Sequence, residues 1–342
     1  MPRLTQSIVA LTRLTSLSTR VLATFPFTAT GLVQRPPSYT LPAFSAPTGV
    51  AGYFAGGDAG SLTSGIDKIT FPADTKTTLS ATLTTAREGG NGFANSGVAG
   101  YTAGGSDTGY ISALDKITFP ADTKTTLSAV LTSTNSAPAC FANSGVAGYV
   151  AGGYNGTYFN RVDKITFPAD TKTTLSATLA TARDNVGGFA DSGVAGYAAG
   201  GESAYSSAIQ KVTFPADTTS TLSATLTAAA SNVGGFANSG VAGYTIAGDL
   251  GTGTYLNRLD KITFPADTKT TLSATISGTY SDVRGFANSG VAGYAGGGRP
   301  ASGPKTSAVD KITFPADSKT TLSATLTSAR SKVISFADSG IL

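Results

Sequence analysis

From residue 49 onward, small, apolar and polar positions alternate in short runs, with no stretch that repeats at helical spacing. In residues 145 to 192, "GVAGYVAGG" alternates small and large residues, "VDKITF" is β-branched and aromatic, "TLSATL" places Leu and Ala around Ser and Thr, and "GGFA" leads into a "DSG" turn. Each run reads as a short strand, in the order A ("GGFA"), B ("GVAGY"), C ("DKITF") and D ("TLSATL"). Pro72 and its equivalents end strand C, and the Asp of "PADT" is a natural turn residue. The 42 glycines and the density of Thr and Val argue against helix.

The same four runs recur six times. Their markers are Tyr53, Tyr101, Tyr149, Tyr197, Tyr244 and Tyr294 in strand B, and Phe71, Phe119, Phe167, Phe214, Phe264 and Phe314 at the end of strand C. Thirty residues separate each such Phe from the next Tyr, as from Phe71 to Tyr101, whereas 17 to 20 separate each Tyr from the following Phe. All the length variation therefore lies between strands B and C. Four antiparallel strands at a period of roughly 50 residues is the arithmetic of a β-propeller blade. The expected fold is all-β, a six-bladed β-propeller of four-stranded antiparallel blades with strand A nearest the axis and repeats starting near 49, 97, 145, 193, 240 and 290.

The units resemble divergent kelch repeats. A Gly pair such as Gly152 and Gly153 ends strand B, an aromatic-Pro turn ends strand C, and an Arg such as Arg183 follows strand D. The resemblance covers residues 49 to 342, with Phe-Pro-Ala-Asp where the family has Tyr-Asp-Pro and with no Trp. It implies a kelch-like propeller. The wording "DKITFPADTKTTLSATL" followed by "GVAGYxAGG" also resembles repeat proteins of tailed bacteriophages, particularly cyanophages, which implies a virion structural or host-recognition role.

Closure follows from the spacing. A seventh strand B tyrosine would fall just beyond Leu342, so residues 333 to 340 supply one more strand A and are expected to complete the first blade, whose own strands B, C and D begin at residue 49. Pro42 and Pro47 demote residues 42 to 48 as a competing strand.

In an up-and-down meander the A-B and C-D turns share one end of each blade, and the B-C and D-A connections share the other. The first set is copied nearly unchanged as "ANSG" or "ADSG" and "PADTKTT", while the second drifts, from "YNGTYFNR" to "DLGTGTYLNR" between B and C and from "REGGN" to "YSDVR" between D and A. The drifting set is rich in Tyr, Asn, Ser and Gly, a mixture suited to recognition surfaces. It marks Tyr110, Tyr154, Tyr158, Phe159, Asn160, Tyr205, Tyr255, Asn257 and Arg258 as candidate ligand-binding residues. Neutral drift of loops is the competing explanation.

Catalytic chemistry is poorly supplied. With no His, a Ser-His-Asp triad, a His-paired Cys and His-bearing metal sites are excluded, including the copper site of kelch-fold galactose oxidase. With no Trp, a sialidase-type Asp box is absent. The single Cys140 replaces a strand A glycine and reads as a small buried hydrophobe. The expectation is a non-enzymatic protein with no cofactor, catalytic residue or metal. The six turn aspartates, Asp74, Asp122, Asp170, Asp217, Asp267 and Asp317, read as caps of the C-D turn. Asp67 with Lys68 and its copies read as inter-blade or surface ion pairs, with Gln210 replacing Asp once. The repeated Tyr and Phe read as core and inter-blade packing.

Residues 1 to 48 carry Arg3, Arg13, Arg20 and Arg35 and no acidic residue, so the chain's whole formal charge of +4 lies there. Their apolar runs are too short for a membrane span, and four arginines are sparse for nucleic-acid binding. An extended or partly helical arm anchored on another virion protein through these arginines suits the mixture. The functional expectation is a phage virion adhesion protein, made in the host cytoplasm and carried on the tail or capsid surface. Its arm anchors while its variable loops face a host-surface protein or polysaccharide, with no specific nucleic acid. The alternatives are a decoration protein of capsid or tail and a bacterial kelch-like protein-binding module. A homo-oligomer stays open, since no heptad or collagen-like segment specifies one.

Overall fold

The computed structural model describes residues 51–338, and in them every copy of the repeat folds into the same four-stranded antiparallel sheet. The second blade is typical. Its strands are Asn91–Asn95 (A), Ala99–Ala103 (B), Leu114–Thr118 (C) and Thr123–Thr126 (D). The register sets Phe93 opposite Tyr101, Tyr101 opposite Lys116, and Ile117 opposite Lys124. Strands A and B are buried throughout, whereas strand D is mostly exposed, so burial falls from the axis outward. The A strands of neighbouring blades lie against one another around that axis.

The first blade is closed by the end of the chain. Ile334–Ala337 pairs antiparallel with Ala51–Ala55, placing Phe336 opposite Tyr53 and Ala337 opposite Gly52. The first and last described segments thus share one sheet, and the ring has no open edge at its inner strands. The arm expected over residues 1–48, with Arg3, Arg13, Arg20 and Arg35, lies outside the described residues.

Strand D requires a correction. The expected strand "TLSATL" is not the paired segment in most blades; strand D is the preceding "TKTT", as in Thr75–Thr78. The Asp of each turn adopts a left-handed φ, 53° at Asp74, which reverses the chain at once and starts pairing at Thr75 opposite Thr70. The Phe–Pro bond before it is cis in all six turns. The following segment is held at only two points in the first blade, where the backbone N–H groups of Leu79 and Leu83 donate to Ile66 and Ser64. Leu83 still buries its side chain. Only in blades four and five does the pairing run on, over Thr218–Thr225 and Thr268–Tyr280, across bulges.

Aromatic rings fill the spaces between blades. Tyr53 stacks between Phe336 of its own blade, at 4.9 Å, and Phe119 of the next, at 5.3 Å. Each such fully buried ring contributes about 2–3 kcal/mol of hydrophobic stabilisation. The strand B glycine is what lets the rings in. A Cβ on Gly100 would lie 2.1 Å from the ring of Phe336, so no larger residue fits without displacing it.

The turn aspartates, expected to cap their own turns, bond instead to the preceding blade. Asp122 accepts the Tyr53 hydroxyl at 2.7 Å and the Lys68 ammonium at 2.6 Å, both from the preceding blade. The same clasp recurs at every boundary and closes the ring where Tyr294 and Lys311 reach Asp74. Asp67 and Lys68 are therefore not partners of each other. Adjacent strand residues point to opposite faces, so Lys68 reaches forward to the second blade while Asp67 reaches back to Thr327 and Arg330 on the connection out of the sixth.

The A-B turns are tied in the same directional way. The Ser96 N–H donates to Ser144 Oγ at 2.8 Å, Ser144 to Ser192 at 3.0 Å, and so on to Ser289, while Asn95 accepts the Gly145 N–H at 2.9 Å. This explains why one end of the propeller is copied so faithfully. Its Ser, Asn and Asp side chains each complete a bond on a neighbouring blade.

Candidate binding face at the axial mouth

The other end of the ring is built from the drifting connections. Each D-A connection crosses to the next blade and meets that blade's B-C loop in a short antiparallel bridge, as Glu88 with Ser106, Ser136 with Tyr154 and Asp184 with Glu202. One residue after each bridging position takes a left-handed φ: Gly89, Ala137, Asn185, Asn232, Asp282 and Lys332. Together these turns surround the axis, and between them opens a cavity of about 360 Å³ lined by side chains from both sets of loops.

Charged groups line this mouth in equal numbers, but not all are paired. Lys332 meets Glu88 at 3.0 Å, and Arg299 meets Asp282 at 3.4 Å. Arg284 and Asp184 remain. Arg284 opens strand A of the sixth blade where blades four and five have Gly187 and Gly234. It is 2% exposed, and among the described residues its side chain makes one hydrogen bond, from Nη1 to the Val283 carbonyl at 3.1 Å, while its Nε has no partner there. Burial pulls its guanidinium below the usual range against the opposing pull of Asp282. Asp184 is buried too, and burial followed by repulsion from Glu202 pushes its carboxyl up to about 7.

The candidate residues from the sequence fall into two groups. Tyr110, 40% exposed, meets Tyr154 edge-on at 5.7 Å, and Tyr154 in turn packs against Tyr158, 37% exposed, at 5.0 Å. Tyr110 and Tyr154 line the axial cavity. Further round the ring, Tyr205 lies on Gly251 of the next blade's loop, and Tyr255 lies 5.8 Å beneath the Arg299 guanidinium of the blade after. Tyr110, Tyr205 and Tyr255 thus each lean onto the loop of the neighbouring blade.

The second group sits away from the mouth. Phe159 is half-buried under the Arg161 guanidinium at 3.8 Å, and Asn160 is exposed while its carbonyl accepts the Leu179 N–H. Asn257 and Arg258 belong to strand C itself, Leu256–Thr263. Arg258 lies 3.7 Å from Asp260, which accounts for it without a ligand. In the second and first blades the strand C carboxylate is met by an Arg from the D-A connection, Arg87 with Asp115 at 3.2 Å and Arg330 with Asp67 at 3.0 Å, while in the sixth Tyr280 takes the place of that Arg and Lys319 approaches Asp310 at 3.5 Å. In the third and fifth blades that Arg is replaced by Asn135 and Ala230, and Arg161 and Arg258 supply the cation from the B-C side instead. In the fourth, Arg183 is kept and meets Gln210 at 3.1 Å.

Sequence reading missed Arg284 and Asp184. The available signal was the charged residue in "DVRGFA" at a position that is Gly in two copies. Cys140 is fully enclosed in strand A, and burial pushes its thiol up, away from thiolate chemistry. Among the described residues no group of three or more Cys, Asp or Glu side chains is placed to hold a metal ion. No protein-family model matches the chain, and a search of curated proteins finds no similar sequence.

Proposed function

We propose that this protein is a non-enzymatic adhesion component of a phage virion, held by residues 1–48 to another virion protein and presenting its B-C and D-A loops to a host-surface protein or polysaccharide. The observation that carries this reading is the tyrosine cluster Tyr110, Tyr154 and Tyr158. Tyr110 and Tyr154 border the cavity, Tyr158 packs against Tyr154, and none of the three is buried as the strand B tyrosines are. Rigid amphipathic rings beside adaptable polar groups are the usual material of recognition surfaces, and small-ligand sites favour such mouths. The phage context rests on the resemblance of the repeat wording.

The uniform face supports a second reading, a decoration protein docked by its invariant end. Val98, Val146, Val194, Val241 and Val291 are each 44–47% exposed in the A-B turns, so this end presents one apolar side chain in each of five blades.

The two readings separate in one experiment. Purified protein is bound to host cells and to surface polysaccharide, using the wild type, a Tyr110, Tyr154 and Tyr158→Ala triple variant, and a Val146 and Val194→Ser variant. Loss of cell binding in the tyrosine variant alone supports adhesion. Cell binding that is absent in the wild type, with particle association lost only in the valine variant, overturns it in favour of decoration.

A further inference from the structure

We propose that the axial mouth is a binding site for an acidic monosaccharide of the uronic acid type, with Arg284 receiving its carboxylate. The inference rests on the reading of this face as a recognition surface and names the ligand class at its centre. Three observations carry it. The first is Arg284 itself, an almost fully buried guanidinium lining the cavity with an unpartnered Nε. A planar guanidinium fork is matched by a carboxylate, which accepts two parallel hydrogen bonds.

The second is the remaining polarity of the wall. Asp184 and Asp282 lie close enough to act on Arg284 electrostatically, and both line the cavity. They disfavour a dianion such as phosphate, but they accept hydrogen bonds from hydroxyl groups, and Asn185 and Asn232 can donate or accept. A ligand with one carboxylate ringed by hydroxyls satisfies both kinds of group at once.

The third is size and shape. A cavity of about 360 Å³ is at the small end of ligand sites and takes one sugar ring. Tyr110 and Tyr154 form one side of it and offer aromatic surface to the C–H face of that ring.

The test is calorimetric titration of the full-length protein with glucuronate, galacturonate, glucose and inorganic phosphate. Both uronates are expected to bind at least tenfold more tightly than glucose or phosphate. Arg284→Gly, which installs the residue found at Gly187 and Gly234, is expected to lose that preference tenfold or more with its melting temperature little changed. Arg284→Gln, which keeps a polar side chain without charge, is the second variant should the first misfold, and the same loss is expected. Uronate affinity equal to that of glucose or phosphate, or unchanged in a folded Arg284 variant, overturns the proposal. Host-cell binding that persists without uronate selectivity overturns it while leaving the adhesion reading in place; loss of both removes the reading on which it rests.

Discussion

The hydroxyl of Tyr53 donates to the carboxylate of Asp122 across a blade boundary at 2.7 Å, and these two residues stand 69 positions apart in the chain. Lys68 completes the contact at 2.6 Å. Repeated six times, it binds each blade to the next at a fixed point in the repeat. Desolvation, followed by the bonded carboxylate, raises the pKa of each of these tyrosines, which favours the protonated phenol that donates in the clasp.

Asp122→Ala leaves a partly buried hydroxyl and ammonium without their acceptor. Its expected cost is about 2–4 kcal/mol, against about 1 kcal/mol for Tyr53→Phe, which removes one bond and keeps the ring. Urea unfolding of the two variants measures the difference; equal costs would remove the clasp from the account.

Gly100→Ala tests the fit of blade against blade. The new methyl would overlap the Phe336 ring, whose displacement is expected to cost about 2–3 kcal/mol or more. The same change at Gly109, where no atom lies within 4 Å, is expected to be nearly neutral. Melting temperatures of the pair read this directly.

Ending the chain after Lys332 removes the strand that pairs with Ala51–Ala55. Cooperative unfolding is expected to be lost or displaced by far more than after deletion of Thr252, Gly253 and Thr254 from an exposed loop. Circular dichroism during thermal unfolding compares the two.

Asp184 predicts a pH dependence. Its folded pKa of about 7 exceeds the ordinary carboxylate value of 3.8, so the folded state holds more protons than the unfolded one between those limits. Stability should therefore fall as pH rises from about 4 to about 7 and then level off, by about 1.4 kcal/mol for each unit of displacement at most. Glu202 opposes ionisation while Asn185 and Arg284 favour it. Asp184→Asn is expected to flatten the slope in denaturation curves taken across this window.

Arg258 and Arg87 should respond differently to removal. Both carboxylates keep bonds from two threonines, Asp115 from Thr84 and Thr126 and Asp260 from Thr227 and Thr271, so the difference lies in the arginines. Arg87→Ala removes a fully buried guanidinium and leaves Asp115 without its buried counter-charge, at an expected cost of about 3–5 kcal/mol, whereas Arg258 is partly exposed to water, so about 1 kcal/mol is expected for Arg258→Ala. The contrast in chemical denaturation tests whether Arg258 belongs to the scaffold.

Blade number, strand order, closure by the last strand and the sorting of connections onto two ends were all legible in the sequence, because each is a property of local alternation and repeat spacing. Strand D was misplaced for a local reason too. Both "TKTT" and "TLSATL" alternate like strands, and the left-handed turn at Asp74 decides which one pairs. The candidate face was legible only in part. Tyr110 and Tyr154 line the mouth with Tyr158 packed behind Tyr154, whereas Arg258 turns out to replace a missing arginine of its own blade.

The sequence by itself determined how many blades there are and which segments form them, since patterns repeating every few residues or every roughly 50 follow from backbone geometry alone. Tertiary structure decided why the uniform turns are uniform and which charges stand unpaired at the axis. Arg284 and Asp184 come from different blades, and only closure of the ring brings both to the wall of one cavity, where the loss of water makes an unpaired charge consequential.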